Sequence, residues 1–281
     1  MILPLSLQQI IDDNVSGSVT LLKRLMIVLE NELLDPELNP ATFIAWIEHI
    51  RERMELFTVI RHFCDELILS HNISVSNYPA NYLGFIYEYK EFWEHAPQLL
   101  MKNLLREIDL KGRKVMVHSN SGTIREVFRL VSKQYTDITI YQTISAPVEE
   151  GRIQAHDLVE MGFKVVLIPD ALAAEKLKSS DYLILAADQV RERTIVNKVG
   201  SYQMALAAQE LNVPVVVLTE SRKMNLKSKD GTFQDRKRDP AEVLNEIAHP
   251  NLRAENIYFE EVPKYLLSKV ITEKQVHSSN E

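Results

Sequence analysis

The residues with the clearest chemical potential gather where short apolar runs end. His118-Ser119-Asn120-Ser121-Gly122-Thr123 follows one such run and leads into a helical pattern. Hydroxyls and backbone N–H groups at a strand-to-helix turn suit a phosphate or carboxylate, or else cap their own helix. Asp188 stands just past another run, either as a turn cap or as an acid/base group facing a cleft. A hairpin-like segment then delivers Asn197 and Lys198 to a helix entry marked by Gly200 and Ser201. Lys198 is there either a point charge for a phosphate or a solvated surface lysine. Ser145-Ala146-Pro147 ends a further run, and Glu149-Glu150-Gly151-Arg152 opens the helix after it.

Other chemistries are not written in the chain. His49, His62, His71, His95 and His156 are scattered without metal-ligand spacing, so no metal is expected. There is no Walker A sequence, no G-x-G-x-x-G and no G-x-S-x-G elbow, and no cofactor is expected. Cys64 is the only cysteine and lies in the apolar phase of a helical pattern, which reads as a core thiol. No intrachain disulfide can form, which fits a reducing compartment. The N-terminus lacks a signal-peptide pattern and no stretch is long and apolar enough to span a membrane, so a cytoplasmic protein without membrane contact is expected. A net charge of −7 argues against a nucleic-acid partner. The charged stretch 227–239 reads as a solvated loop.

Two halves must position these residues. With 281 residues, 46% of them hydrophobic, the chain is long enough for one large domain or two moderate ones. Residues 1–110 are written in helical periods. A stripe from Leu21 to Leu29 is followed by breaks at Asp35-Pro36 and Asn39-Pro40, with Asn39 as N-cap and Pro40 at the first helical position. One long helix is expected through Phe43, Ile47, Ile50, Met54, Phe57 and Ile60, a loop over 72–80, and another helix from Tyr82 to Ile108. From Lys111 onward, β-rich runs at 114–119, 138–144, 164–169, 182–186 and 213–219 alternate with helical stretches near 123–134, 149–161, 171–178 and 201–211. The runs are continuously apolar, as when helices cover both faces of a strand. The expected fold is therefore α/β: an N-terminal helical domain over 1–110, then a Rossmann-like, doubly wound, mostly parallel sheet over 111–281. Ligands of such sheets sit beyond the carboxyl ends of the strands, near the topological switch point.

HSNSGT, EEGR, AADQV, NKVGSYQMALAAQELNVPVVVL and YFEEVPKYLLSKVITE occur in an order and spacing that resemble the alpha/beta/delta regulatory subunits of translation initiation factor 2B. Ribose-1,5-bisphosphate isomerase and methylthioribose-1-phosphate isomerase share that superfamily. The resemblance runs from about Lys111 to Glu273, and Asp13–Ser18 also resembles a family turn. It implies a helical domain packed on a Rossmann-like domain, and assembly with copies of itself or with related subunits.

The resemblance also implies site roles. The isomerase members convert an aldose phosphate to a ketose phosphate with a Cys and an Asp. Asp188 falls on the Asp position and Ser119 on the Cys position. A Ser hydroxyl is far less acidic than a thiol, which titrates near ~8.5, so it exchanges a proton poorly near neutrality. Ala146 stands where the isomerases usually carry a phosphate-binding Arg. Asn120, Ser121, Gly122 and Thr123 correspond to the phosphate turn, and Arg152, Asn197 and Lys198 to its other polar contacts. The function expected is a regulatory protein binding a phosphorylated sugar or nucleotide without isomerase turnover. The alternatives are an isomerase with an altered site and Asp188 as base, or a scaffold subunit with a vestigial cleft.

Overall fold

A computed structural model describes residues 3–13, 18–54, 57–73, 77–225, 233, 235, 237–244, 249 and 251–278. Two compact units divide after His95.

The first unit is helical. It holds α1 (Leu5–Ile11), α2 (Ser18–Glu32), α3 (Pro40–Arg53), α4 (Thr58–Ile73) and the first part of α5 (Ala80–Glu107). Asn39 caps α3 by accepting from the Thr42 N–H at 2.9 Å, with Pro40 at the first helical position. Leu21, Leu25, Phe43, Ile47, Ile60, Phe63 and Ile86 bury their apolar faces in one core. Cys64 lies in that core, and burial pushes its thiol far above the ordinary range. The single helix expected through Ile60 is instead two helices, with α3 ending at Arg53 and α4 beginning at Thr58. The apolar phase continues across the break through Phe57, so periodicity alone could not reveal it. The expected loop begins later than residue 72, since α4 runs to Ile73. Residues 14–17 of the Asp13–Ser18 turn lie outside the described residues.

The second unit begins inside α5, earlier than Lys111, because Leu100, Leu104 and Ile108 bury their side chains in the core of the sheet. Its strands are β1 (Lys114–Val117), β2 (Thr139–Thr143), β3 (Lys164–Ile168), β4 (Tyr182–Ala186), β7 (Val215–Leu218), β9 (Lys269–Ile271) and β10 (Val276–Ser278). They lie in the order β10-β9-β7-β4-β1-β2-β3, and only the β9–β10 pair is antiparallel. The connecting helices are α6 (Gly122–Val131), α7 (Gly151–Glu160), α8 (Ala173–Leu177) and α9 (Ser201–Glu210). A smaller sheet joins β5 (Gln189–Val190), β6 (Thr194–Lys198) and β8 (Phe259–Pro263) in an antiparallel arrangement, which includes the expected hairpin.

Alternation along the strands explains their apolar runs. Val115, Val117, Ile184, Val216 and Leu218 enter one core, whereas Met116, Leu183, Leu185, Val215 and Val217 enter the other. Every position therefore meets apolar surroundings, as pleat geometry requires of a sheet covered on both faces. β3 departs from this expectation. It is the last strand of the sheet, and Val166 and Leu167 remain 41% and 38% exposed. From β1 the chain winds outward through β2 to β3, then crosses to β4 on the other side of β1. The switch point thus falls at the carboxyl ends of β1 and β4, beside His118 and Asp188.

Candidate functional site

The turn after β1 is held in a conformation that local sequence would not choose. Ser119 has φ +67° and Ser145, after β2, has φ +66°. Non-glycine residues enter this region at a steric cost, so surrounding contacts must hold them there. Those contacts are present. The Ser119 N–H donates to Ser145 Oγ at 2.8 Å, and the Ser119 carbonyl accepts from Gln142 Nε2 at 3.1 Å. Gln154 donates to Gln142 at 2.9 Å and accepts from the Ser121 N–H at 2.8 Å. Asp170 clamps the neighbouring turn, accepting from the N–H groups of Ser145 and Ala146 at 2.9 and 2.7 Å.

His118 anchors the base of the site and is almost fully buried. Its Nε2 lies 2.9 Å from the Val199 carbonyl, so that nitrogen carries the hydrogen. Nδ1 then accepts from the Thr143 hydroxyl at 2.6 Å. Burial pushes the imidazole below its ordinary pKa, which keeps it neutral. Gly200 closes over this ring with φ +104°, and a Cβ there would lie 3.2 Å from His118 Nε2.

Glu150 was not among the candidate site residues, yet it joins two of them. Its carboxylate accepts from Ser119 Oγ at 2.9 Å and pairs with Lys198 Nζ at 3.0 Å. Lys198 is therefore not a solvated lysine. Its side chain is 4% exposed, and Nζ sits 4.5 Å from the centroid of the Tyr258 ring. Gly151 makes this geometry possible: a Cβ there would fall 1.9 Å from the Thr143 carbonyl oxygen. Only glycine lets the start of α7 approach β2 closely enough to bring Glu150 to Ser119.

The remaining candidates divide. Ser121 caps α6 by accepting from the Ile124 N–H at 3.3 Å, and helix geometry leaves the N–H groups of Gly122 and Thr123 without partners inside α6. Asn120 Oδ1 is buried beside them with no hydrogen-bond partner. Asn197 is buried and donates to Ser201 Oγ at 2.8 Å, a contact within the helix entry. Arg152 is exposed and pairs with Glu149 at 2.6 Å.

Asp188 follows β4, its N–H bonded to the Val196 carbonyl at 2.8 Å. Surrounding protein pushes its carboxyl above the ordinary carboxylate range, and the Lys223 ammonium opposes that. The side chain is nonetheless solvent-exposed. Lys223 was also missed. It is buried, with Nζ donating to the Ala187 carbonyl at 3.0 Å, and it lies just past β7, where the strand-end rule applies equally. The charged stretch 227–239 is not simply solvated where it is described. Arg238 lies 4.4 Å from the Tyr258 ring centroid, and Asp235 accepts from the Tyr258 and Phe259 N–H groups. Residues 227–232, 234 and 236 lie outside the described residues.

The site thus lies at the strand ends and holds a helix N-terminus with two N–H groups free of partners inside α6, one nearly enclosed ion pair and one solvent-open acid. Among the described residues, no helix is long and apolar enough to cross a membrane.

Comparison with known proteins agrees with the architecture. The chain is similar to a methylthioribose-1-phosphate isomerase from Bacillus pumilus, 32% identical over 58% of this chain and 48% of that protein. It is similar also to a ribose 1,5-bisphosphate isomerase from Archaeoglobus fulgidus, 30% identical over 58% of this chain and 53% of that one. The chain spans about half the length of the curated relatives it matches. In fold it resembles the translation initiation factor eIF-2B of Pyrococcus horikoshii OT3, with a TM-score of 0.80 and 23% identity over 98% of this chain and 97% of that one. The tetrameric eIF2B-beta2-delta2 complex from C. thermophilum contains a similar fold, with a TM-score of 0.69 and 13% identity over 98% of this chain and 89% of that one. Residues 30–278 match the model of the initiation factor 2 subunit family, and the chain belongs to that family.

Proposed function

We propose that this chain is an initiation factor 2B-like regulatory protein of the cytoplasm. It binds a phosphorylated sugar or nucleotide at the carboxyl edge of its sheet and does not isomerise it. The observation that carries the reading is the Ser119–Glu150 hydrogen bond. Ser119 occupies the position where the resemblance places a catalytic Cys, and its only acidic hydrogen is already donated to a carboxylate. A Ser hydroxyl is far less acidic than a thiol and so is a poor proton carrier near neutrality. The phosphate is assigned to the turn at Asn120, Ser121, Gly122 and Thr123, where the dipole and open N–H groups of α6 favour an anion.

Thermal unfolding with a panel of sugar phosphates, nucleotides and inorganic phosphate tests this. A ligand at 100 times its Kd adds about 2.7 kcal/mol of stability. A selective hit without turnover is the expected result, and a flat response across the panel would refute binding.

Asp188 favours a second reading, an aldose–ketose phosphate isomerase. An acid raised above its ordinary range at a solvent-open strand end suits proton transfer at a substrate carbon, and the two curated relatives named above carry isomerase names. Turnover lost in Asp188→Asn with binding intact would establish it.

The edge of the sheet supports assembly with a second copy or a related subunit. Val166 and Leu167 on β3 lie open, as do Val148, Ile153 and Leu172 on neighbouring segments. Apolar side chains left open along a sheet edge suit a contact surface. Sedimentation of the protein alone distinguishes a dimer from a monomer that awaits a different subunit.

A further inference from the structure

We propose that Glu150 sets ligand specificity, admitting a ligand with one phosphate and rejecting one that brings a second phosphate to Lys198. The inference rests on the reading that the site takes a phosphorylated ligand. Among the described residues, the features nearest the Ser119 turn that could attract anions include the start of α6, the start of α9 and the Lys198 ammonium. The protein's own carboxylates already satisfy the last two. Glu260 Oε1 accepts from the Gly200 and Tyr202 N–H groups at 2.7 and 2.8 Å, which occupies the start of α9. Glu150 meets Lys198 with both oxygens, at 3.0 and 3.2 Å.

A phosphate arriving at Lys198 would lie against the Glu150 carboxylate. The other cation on the Tyr258 ring, Arg238, is directed toward Asp235 at 3.5 Å and offers little compensation. A hydroxyl is received differently, because it can donate to Glu150 as Ser119 does. The inner end of the site is therefore matched to an uncharged, hydroxyl-bearing part of a ligand whose single phosphate rests at the α6 turn.

The test uses ribose 5-phosphate and ribose 1,5-bisphosphate, two probes that differ by one phosphate, titrated calorimetrically into the wild type and Glu150→Gln. The wild type is expected to bind the monophosphate at least about tenfold more tightly, since like charges held in contact discriminate strongly. Glu150→Gln keeps the size and an acceptor oxygen while removing the charge. It is expected to erase or invert that ratio through tighter bisphosphate binding. Equal binding of both sugars by the wild type, or an unchanged ratio in Glu150→Gln, overturns the role of Glu150 and leaves the phosphate site standing. Binding of neither sugar, nor of any other phosphorylated compound, overturns both. Should Glu150→Gln fail to fold, the wild-type ratio still decides.

Discussion

Glu150 and Lys198 meet as a nearly enclosed ion pair, with Nζ 3.0 Å from one carboxylate oxygen and 3.2 Å from the other, although 48 residues separate them in the chain. The ammonium is almost wholly removed from water, whereas the carboxylate keeps some access, its side chain 20% exposed. Their contact ties the segment entering α7 to the end of β6, and the same carboxylate holds the turn that follows β1.

Breaking this pair from one side should be costly. Removing one partner of a buried pair commonly costs about 3–5 kcal/mol, and the water open to Glu150 moderates that figure, so Lys198→Met is expected to lose about 2–4 kcal/mol in urea unfolding. The exposed Arg152–Glu149 pair serves as the contrast, and Arg152→Ala should change stability by less than about 0.5 kcal/mol. Equal losses in the two variants would contradict the difference in burial.

The glycines give opposite expectations at different places. Gly151→Ala drives a methyl group into the Thr143 carbonyl and should cost about 3 kcal/mol or more, or abolish folding. Gly84 lies within α5, and an added methyl group there would meet nothing within 4 Å, so Gly84→Ala should add about 0.5–1 kcal/mol. Calorimetric melting of the two variants reads both signs.

Acid should weaken the fold through His118. In the unfolded chain this imidazole titrates near ~6.5, while burial depresses its pKa in the folded protein. Below about pH 6.5 the unfolded state takes up a proton that the folded state refuses. The contribution is therefore fully present above that pH and falls as the solution is acidified, by at most about 1.4 kcal/mol per pH unit. The His118 ring signals in NMR should titrate at a lower pH than a free imidazole, and an ordinary titration near ~6.5 would exclude the buried neutral tautomer.

Asp188 should show the reverse sign. Its folded pKa is raised, so the native state binds its proton more tightly than the unfolded state does. Stability from this group is lost as pH rises through the unfolded value of ~3.9 toward the folded one, which leaves a penalty at neutral pH. Asp188→Asn is thus expected to raise the melting temperature slightly at pH 7. A clear fall in melting temperature would mean that the carboxylate is held by favourable contacts, with Lys223 outweighing the surrounding protein.

Much of the second unit was legible because local and global signals agree there. The apolar runs VVLIP, YLILAA and PVVVL lie on β3, β4 and β7, and alternate helices separate the parallel strands. The strand-end rule led to the turn after β1 and to Lys198 because it depends only on where apolar runs stop. Glu150 was harder to recognise, since its role arises from a backbone approach at Gly151 that no periodicity records. Lys223 follows the same strand-end rule, but its burial and its bond to the Ala187 carbonyl involve the segment after β4, which no periodicity records. The break between α3 and α4 was hidden because the apolar phase continues through it.

The absence of space at Gly151 has a consequence for how such a site could diversify. With the main chain fixed against β2, the preceding residue works like an exchangeable tip on a rigid holder. A single nucleotide change turns a glutamate codon into a glutamine codon, so the charge presented to Lys198 could be altered without rebuilding the scaffold. Relatives with different ligands could then be separated by one inherited letter at this position, while the rest of the architecture stays unchanged.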